Sequence, residues 1–246
     1  CAHYKTCHFF NSRRAASDAH LLISNHSLFF SDLSYREQSN GQGILPDYQR
    51  VILDEAHNIE EIATEHFASR VSIMMVARTL ARLVGHRNDK AYGKIPLLKQ
   101  QLQDYFRNEL PKVAHPLLTS LDIDLPAMAQ EVWRQCGFLF QSFSELIDAQ
   151  PSKGEESGLE NKLRILAPQK EHVIWKEEVS PKCVSFLETL RRYIQSLRYI
   201  ISAIPALKDE TLDERTQGVR IDINAYADRL DLYGKTVEDF VMGADS

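Results

Sequence analysis

The sequence predicts a mainly α protein in which a helical bundle is attached to an incomplete α/β segment. Three observations carry this expectation. From about residue 69 onward, apolar residues recur at three- and four-residue steps. Before that point lie two short unbroken apolar runs, Leu21-Leu22-Ile23 and Val51-Ile52-Leu53, the pattern of buried strands. Between those runs, Ser39-Asn40-Gly41-Gln42-Gly43 reads as a loop.

The first region mixes helices and strands. Two continuous apolar strands suggest a parallel sheet covered on both faces, but two strands cannot hold such a sheet together unaided. The remainder of the sheet is therefore expected from outside this segment. The chain starts at Cys1, which fits an internal piece of a longer protein.

The second region carries seams of strict helical spacing. Ile73, Val76, Ala77, Leu80 and Leu83 share one face, as do Met128, Val132, Leu139, Phe143 and Leu146. Leu187, Leu190, Ile194, Leu197, Ile201 and Ile204 form a third seam. Ile223, Tyr226, Leu230, Tyr233, Val237 and Phe240 form a fourth. Such seams pack helices into a near-antiparallel bundle. Pro111 and Pro116 are expected to kink or end the helix begun near Ile95. Pro151, Gly154 and Gly158 mark a loop, and Leu163-Arg164-Ile165-Leu166 with His172-Val173-Ile174-Trp175 suggest a small hairpin.

Composition narrows the classes. The chain has 246 residues, is 43% hydrophobic and 26% charged, and carries a net charge of −5. That is ordinary for a soluble domain, and no apolar run is long enough to cross a bilayer. The charge argues against a chain coated in basic residues for nucleic acid, although not against a local basic face. One basic stretch comprises Arg70, Arg78, Arg82, Arg87, Lys90, Lys94, Lys99, Arg107 and Lys112, against Asp89, Asp104 and Glu109. It reads either as solvated helix faces or as a nucleic-acid contact. Four cysteines are too few for a secreted disulfide framework and fit a reducing cytoplasm. Cys136 and Cys183 fall in helical patterns and read as buried thiols.

The sharpest motif is Val51-Ile52-Leu53-Asp54-Glu55-Ala56-His57-Asn58. An apolar strand ending in two acids is the layout of a phosphoryl-transfer ATPase. Asp54 would hold Mg2+ through its water shell, Glu55 would orient the attacking water, and His57 would link the nucleotide to a neighbouring element. The bland alternative is an acidic helix start, continued by Glu60, Glu61 and Glu65. The strand before and the helix after favour the ATPase reading. The second motif is Cys1-Ala2-His3-Tyr4-Lys5-Thr6-Cys7, in which two thiolates supply half of a four-thiolate iron–sulfur or zinc site.

The order Cys1, Cys7, Arg13-Arg14, Ile23-Ser24-Asn25-His26-Ser27-Leu28, Leu45-Pro46 and then Asp54-Glu55-Ala56-His57 resembles the DinG and XPD group of superfamily-two DNA helicases, the DinG branch and its bacterial paralogues most of all. The resemblance implies a RecA-like motor segment interrupted by a [4Fe–4S] domain and by a helical insertion called the Arch. Residues 1–18 would end the cluster domain, 19–68 would belong to motor domain 1, and 69–246 would be the Arch-like bundle. Cys1 and Cys7 would be cluster ligands, and Asp54, Glu55 and His57 the DEAH residues on Mg2+-ATP. Arg13 and Arg14 would lie near the DNA path or on a solvated helix face. Asn25 and His26 would be structural or DNA-facing. The implied activity is ATP-driven 5′-to-3′ translocation on single-stranded DNA and unwinding of forked DNA. It would take place in a bacterial cytoplasm, at the nucleoid, alongside replication or repair proteins and away from any membrane.

The family's phosphate loop has no match here. Gly234-Lys235-Thr236 has Arg229 where the first glycine belongs and falls mid-helix, so this piece alone is expected to be inactive. Two other classes stand beside the helicase reading. One is a non-catalytic DNA- or protein-binding helical module that uses the basic stretch. The other is a helix-bundle metal protein built on Asp54, His57, Glu61, Glu65 and His66.

Overall fold

A computed structural model describes residues 6–39, 41–87, 90–107, 114–149, 165, 170–204 and 210–242. The chain divides into two compact units, Cys1–Ser69 and Arg70–Ser246.

The first unit contains α1 (His8–Ser17), α2 (His26–Gln38), a single 3-10 turn (Ala56–Asn58) and α3 (Ile59–Phe67). Helix α2 starts where Asn25 leaves extended backbone and its side-chain oxygen accepts from the Leu28 N–H at 2.8 Å. Helices α2 and α3 pack together, with Phe30 buried and its ring edge-on to Phe67 at 5.9 Å.

The two expected strands do not form. Leu21-Leu22-Ile23 and Val51-Ile52-Leu53 have no regular secondary structure and pair with nothing among the described residues. Ile23 is 88% and Ile52 94% exposed. A strand closes its backbone hydrogen bonds only against a neighbour, and apolar side chains alone do not supply one.

The second unit is a bundle of α4 (Ile73–Leu83), α5 (Lys94–Tyr105), α6 (Ala114–Thr119), α7 (Leu125–Asp148), α8 (Ser180–Ala203) and α9 (Glu210–Met242). Helix α8 packs against both α7 and α9, and α4 and α5 close over α9. Its core is continuous, from Val76, Leu80 and Leu83 through Val132, Cys136 and Leu139 to Phe186, Tyr193, Leu197, Ile223 and Leu230. The predicted seams are the buried faces, apart from Phe240 at the far end of α9, which is exposed. Both inner thiols are buried, and burial pushes Cys136 and Cys183 up to about 12. Gly234 lies within α9, and a Cβ there would stand 3.2 Å from Leu190 Cδ2, so this glycine lets α8 and α9 approach.

The proline expectation needs correction. Helix α5 ends at Tyr105, and Pro111 lies outside the described residues. Pro116 sits in the first turn of α6, where its missing N–H would have had no partner in the helix. Two other prolines do reshape helices. A π-helical turn at Ser120–Asp124 precedes Pro126, and another at Trp175–Val179 precedes Pro181. Each widened turn relieves the clash between the proline ring and the carbonyl four residues earlier.

The expected hairpin is also displaced. Leu163, Arg164 and Leu166, like Pro151, Gly154 and Gly158, lie outside the described residues, while Val173 and Ile174 are helical and lead into the second π turn. The observed hairpin is β1 (Gly85–Arg87) against antiparallel β2 (Lys90–Tyr92), with Gly85 opposite Tyr92. Gly93 follows β2 as the N-cap of α5, at φ 118°, where a Cβ would stand 2.6 Å from the Leu83 carbonyl oxygen. His172-Trp175 took the helical course because Trp175 and Val179 bury against Leu146 at helical spacing.

Candidate active site segment

The acidic tetrad lies in one tight turn. Asp54 Oδ1 accepts from the Glu55 N–H at 2.9 Å, which folds the chain back on itself. Glu55 follows at φ 47°, ψ 47°, the only non-glycine residue in the left-handed region among the described residues. Such backbone costs about 1–3 kcal/mol and clusters at functional sites. The Asn58 N–H then bonds the Glu55 carbonyl at 3.0 Å, closing the 3-10 turn. The Glu55 carboxylate lies 3.3 Å from His57 Nδ1, and both side chains face solvent. Glu60 and Glu61 occupy the first turn of α3, where carboxylates favour the helix dipole. The structure thus brings Asp54, Glu55 and His57 together, followed by a helix but not preceded by a strand.

The other candidate residues fall on α1 and at the start of α2. Cys7 is the N-cap of α1, a half-buried free thiol, and Cys1 lies outside the described residues. Among the described residues no three His, Cys, Asp or Glu side chains come together to hold a metal ion. The cluster site is therefore not assembled from what is described, and the bundle-metal alternative gains no support. The side chains of Glu65 and His66 also lie outside the description. Arg13 donates to the Ile44 carbonyl at 3.1 Å and stands over the Phe9 ring. Arg14 bonds back to Phe10 and Asn11 on its own helix. Asn25 caps α2, worth about 1 kcal/mol, and His26 is the half-buried first residue of that helix.

One constellation was not singled out from the sequence. Asp32 on α2 is 0% exposed, the one charged side chain so buried among the described residues. It accepts from Arg36 Nε at 2.7 Å, from the Leu45 N–H at 2.8 Å and from the Tyr48 hydroxyl at 3.3 Å. Arg36 also donates to Asp47 at 2.9 Å and to the Leu45 and Pro46 carbonyls at 2.9 and 3.2 Å, and lies over the Tyr48 ring at 5.1 Å. Burial alone would raise the Asp32 carboxyl, but the bonds from Arg36 and the Leu45 backbone hold it below the usual range. Removing one partner of such a pair leaves a buried charge, at a cost of about 3–5 kcal/mol. The sequence signal was present: an Asp and an Arg four apart on a helix, followed by a glycine-bearing loop.

Part of the basic stretch is locally neutralised. Lys94 pairs with Asp222 at 2.6 Å, Lys99 with Asp122 at 2.5 Å and Arg107 with Asp104 at 2.9 Å. Arg78 and Arg82 stay exposed on α4, the Arg87 side chain is not among those described, and Lys112 lies outside the described residues. Three of the nine cations in the stretch thus have acidic partners. No helix among the described residues is long and apolar enough to cross a membrane.

Comparison with known proteins decides what the N-terminal unit resembles. Residues 1–75 match the DEAD_2 family model. Over 72 residues the chain is 33% identical to the ATP-dependent DNA helicase YoaA of Haemophilus influenzae and 35% identical to YoaA of Escherichia coli. Each alignment covers 29% of this chain and 11% of the relative. It is 31% identical over 100 residues to the 3'-5' exonuclease DinG of Bacillus subtilis, covering 41% of this chain and 10% of that protein. The matched segment thus spans about a tenth of the length of these relatives. No solved structure matches the chain. The resemblance to DinG- and XPD-type helicases holds over this short N-terminal part.

Proposed function

We propose that the chain is an internal piece of an ATP-dependent DNA helicase and that Asp54 and Glu55 are its hydrolytic carboxylates. The observation that carries this reading is the Asp54-Glu55-Ala56-His57 turn inside the DEAD_2 match, in a segment shared with proteins named ATP-dependent DNA helicases. Bound Mg2+ would neutralise charge on the phosphates during transfer. Asp54 offers an exposed carboxylate that would hold the ion's water shell. Glu55 would orient the attacking water and accept its proton, and His57, now against Glu55, would keep that carboxylate aimed.

The remaining roles follow the family resemblance. Cys1 and Cys7 would be two of four [4Fe–4S] ligands, Arg13 and Arg14 would lie near the DNA path, and Asn25 and His26 would be structural or DNA-facing. Residues 69–246 would be the Arch. The whole protein would move 5′ to 3′ on single-stranded DNA and open forks in a bacterial cytoplasm, at the nucleoid, with replication or repair proteins.

The test is ATP turnover with and without single-stranded DNA. The longer protein should hydrolyse ATP, and Glu55→Gln should lower kcat about 100- to 10,000-fold while ATP still binds. Residues 1–246 alone should be inactive, and measurable turnover by them would refute that part. Full turnover by Glu55→Gln would remove Glu55 from the mechanism. Forks with single 5′ or 3′ tails read the direction of travel.

A further inference from the structure

We propose that the cleft between α4 and α7 docks an acidic segment of a partner protein, whose large apolar side chains enter the cleft while its carboxylates meet Arg78 and Arg82. The proposal concerns the second unit alone and does not depend on the reading of Asp54 and Glu55.

The cleft follows from residue size. Helices α4 and α7 pack together, and Ala77, Ala81 and Ala129 line the space between them. Larger side chains there would fill it. Alanines leave a trough of about 240 Å³, walled by Val84 and Trp133 and reached by His86 at the start of the hairpin. That volume lies below the roughly 300–1,000 Å³ of small-molecule sites and suits one or two inserted side chains. Trp133 is 43% exposed, so the trough and the ring together leave apolar surface in water, which association removes. Tryptophan and arginine are also the residues that carry most of the binding energy at protein interfaces.

Charge selects the occupant. From Arg70 to Arg87 the chain has no Asp or Glu. Arg78 and Arg82 lie one residue on from Ala77 and Ala81, about 100° further round α4. Both are exposed and without an acidic partner among the described residues. On the facing wall, the one acid between Leu125 and Gln135 is Glu131, which Arg134 and Gln135 already hold. The rim is therefore positive with no negative group of its own to answer it, which complements an acidic partner and repels a basic one. A nucleic-acid strand is acidic too, but its bases carry polar edges. The trough offers those edges Gln130 and His86 among apolar side chains. Leucine and phenylalanine side chains need no such partners, and an amphipathic helix presents them to a groove at i, i+3, i+4 and i+7.

The experiment titrates residues 1–246 with an acidic helical peptide that carries Phe and Leu at those spacings among Glu and Ala. A shuffled peptide of the same composition and a single-stranded oligonucleotide are the comparisons. Polarisation of fluorescein-labelled peptide reads binding. With unlabelled peptide, Trp133 emission reads the place, because the chain has two tryptophans and Trp175 is buried in a separate cluster. The patterned peptide should bind saturably, shift Trp133 emission to shorter wavelength and bind more weakly as salt rises. Ala81→Leu, which fills the trough, and Trp133→Ala should each weaken binding about 30-fold. Arg78→Glu with Arg82→Glu should weaken it at least about 10-fold and flatten its salt dependence. Both arginines are exposed, so this double variant decides the matter should Trp133→Ala not fold. No saturable binding, equal binding of the shuffled peptide, or variants that bind like wild type would overturn the proposal. Tighter binding of the oligonucleotide with the same Trp133 shift would give the cleft to nucleic acid instead. The longer protein should bind the peptide as well as residues 1–246 do, and loss of binding there would mean that its other parts fill the cleft, which also overturns the proposal.

Discussion

Tyr193 offers a sharp test of the helical unit. Its side chain is 0% exposed on α8, inside the main core, and its hydroxyl has no hydrogen-bond partner among the described residues. An unsatisfied buried hydroxyl costs about 1–3 kcal/mol. Tyr193→Phe removes it and keeps the ring. The void left by one oxygen is smaller than a methyl group and costs less than about 1 kcal/mol. The variant should therefore be more stable by about 1–2 kcal/mol. For a chain of this size each kcal/mol moves Tm by about 2–4 °C, so the midpoint should rise by roughly 2–8 °C. Melting of residues 1–246 followed by helical circular dichroism reads this directly. Burial also pushes the Tyr193 phenol above its ordinary 10.0. In the wild type, stability is full below that value and falls as pH rises and the unfolded phenol ionises. The gap between variant and wild type should thus widen above pH 10.0. A lower midpoint in the variant, with no widening, would mean the hydroxyl is bonded and would refute the reasoning.

Two further expectations concern the same unit. Gly93→Ala should lower its stability by at least about 1–3 kcal/mol in urea melts, because φ is 118° there and the new Cβ would meet the Leu83 carbonyl at 2.6 Å. Wild-type stability should also decline between pH 9.0 and about 12, because buried Cys136 and Cys183 stay protonated while their unfolded forms ionise. A Cys136→Ala, Cys183→Ala double variant should flatten that decline relative to its own value at pH 8, and urea melts across the range would check it.

Much of the second unit was legible in the sequence because its determinant is periodic. Three–four spacing at Leu187, Leu190, Ile194 and Leu197 leaves one face to bury, and that face is buried. The hairpin was misplaced for the converse reason. Short β-branched runs such as His172-Val173-Ile174-Trp175 carry no period, and the burial of Trp175 and Val179 against Leu146 settled their course. The candidate site divides in the same way. Asp54, Glu55 and His57 stood out as a motif, but the left-handed turn that gathers them is a backbone property no residue type announces. The Asp32–Arg36 pair was not singled out, because an Asp and an Arg four apart on a helix do not announce the loop that folds over them.

By itself, then, the sequence determined that this is a mainly α chain, that its helices present particular faces and that its specific motifs lie in the first 58 residues. Those properties are local, set by spacing and residue type. Tertiary structure alone decided that Val51-Ile52-Leu53 has no partner strand among the described residues, that π-helical turns precede Pro126 and Pro181, and that Asp32 and Arg36 on α2 hold the Leu45–Tyr48 segment. Each of those depends on groups distant in the chain, whose hydrogen bonds and packing exist only once the backbone has brought them together.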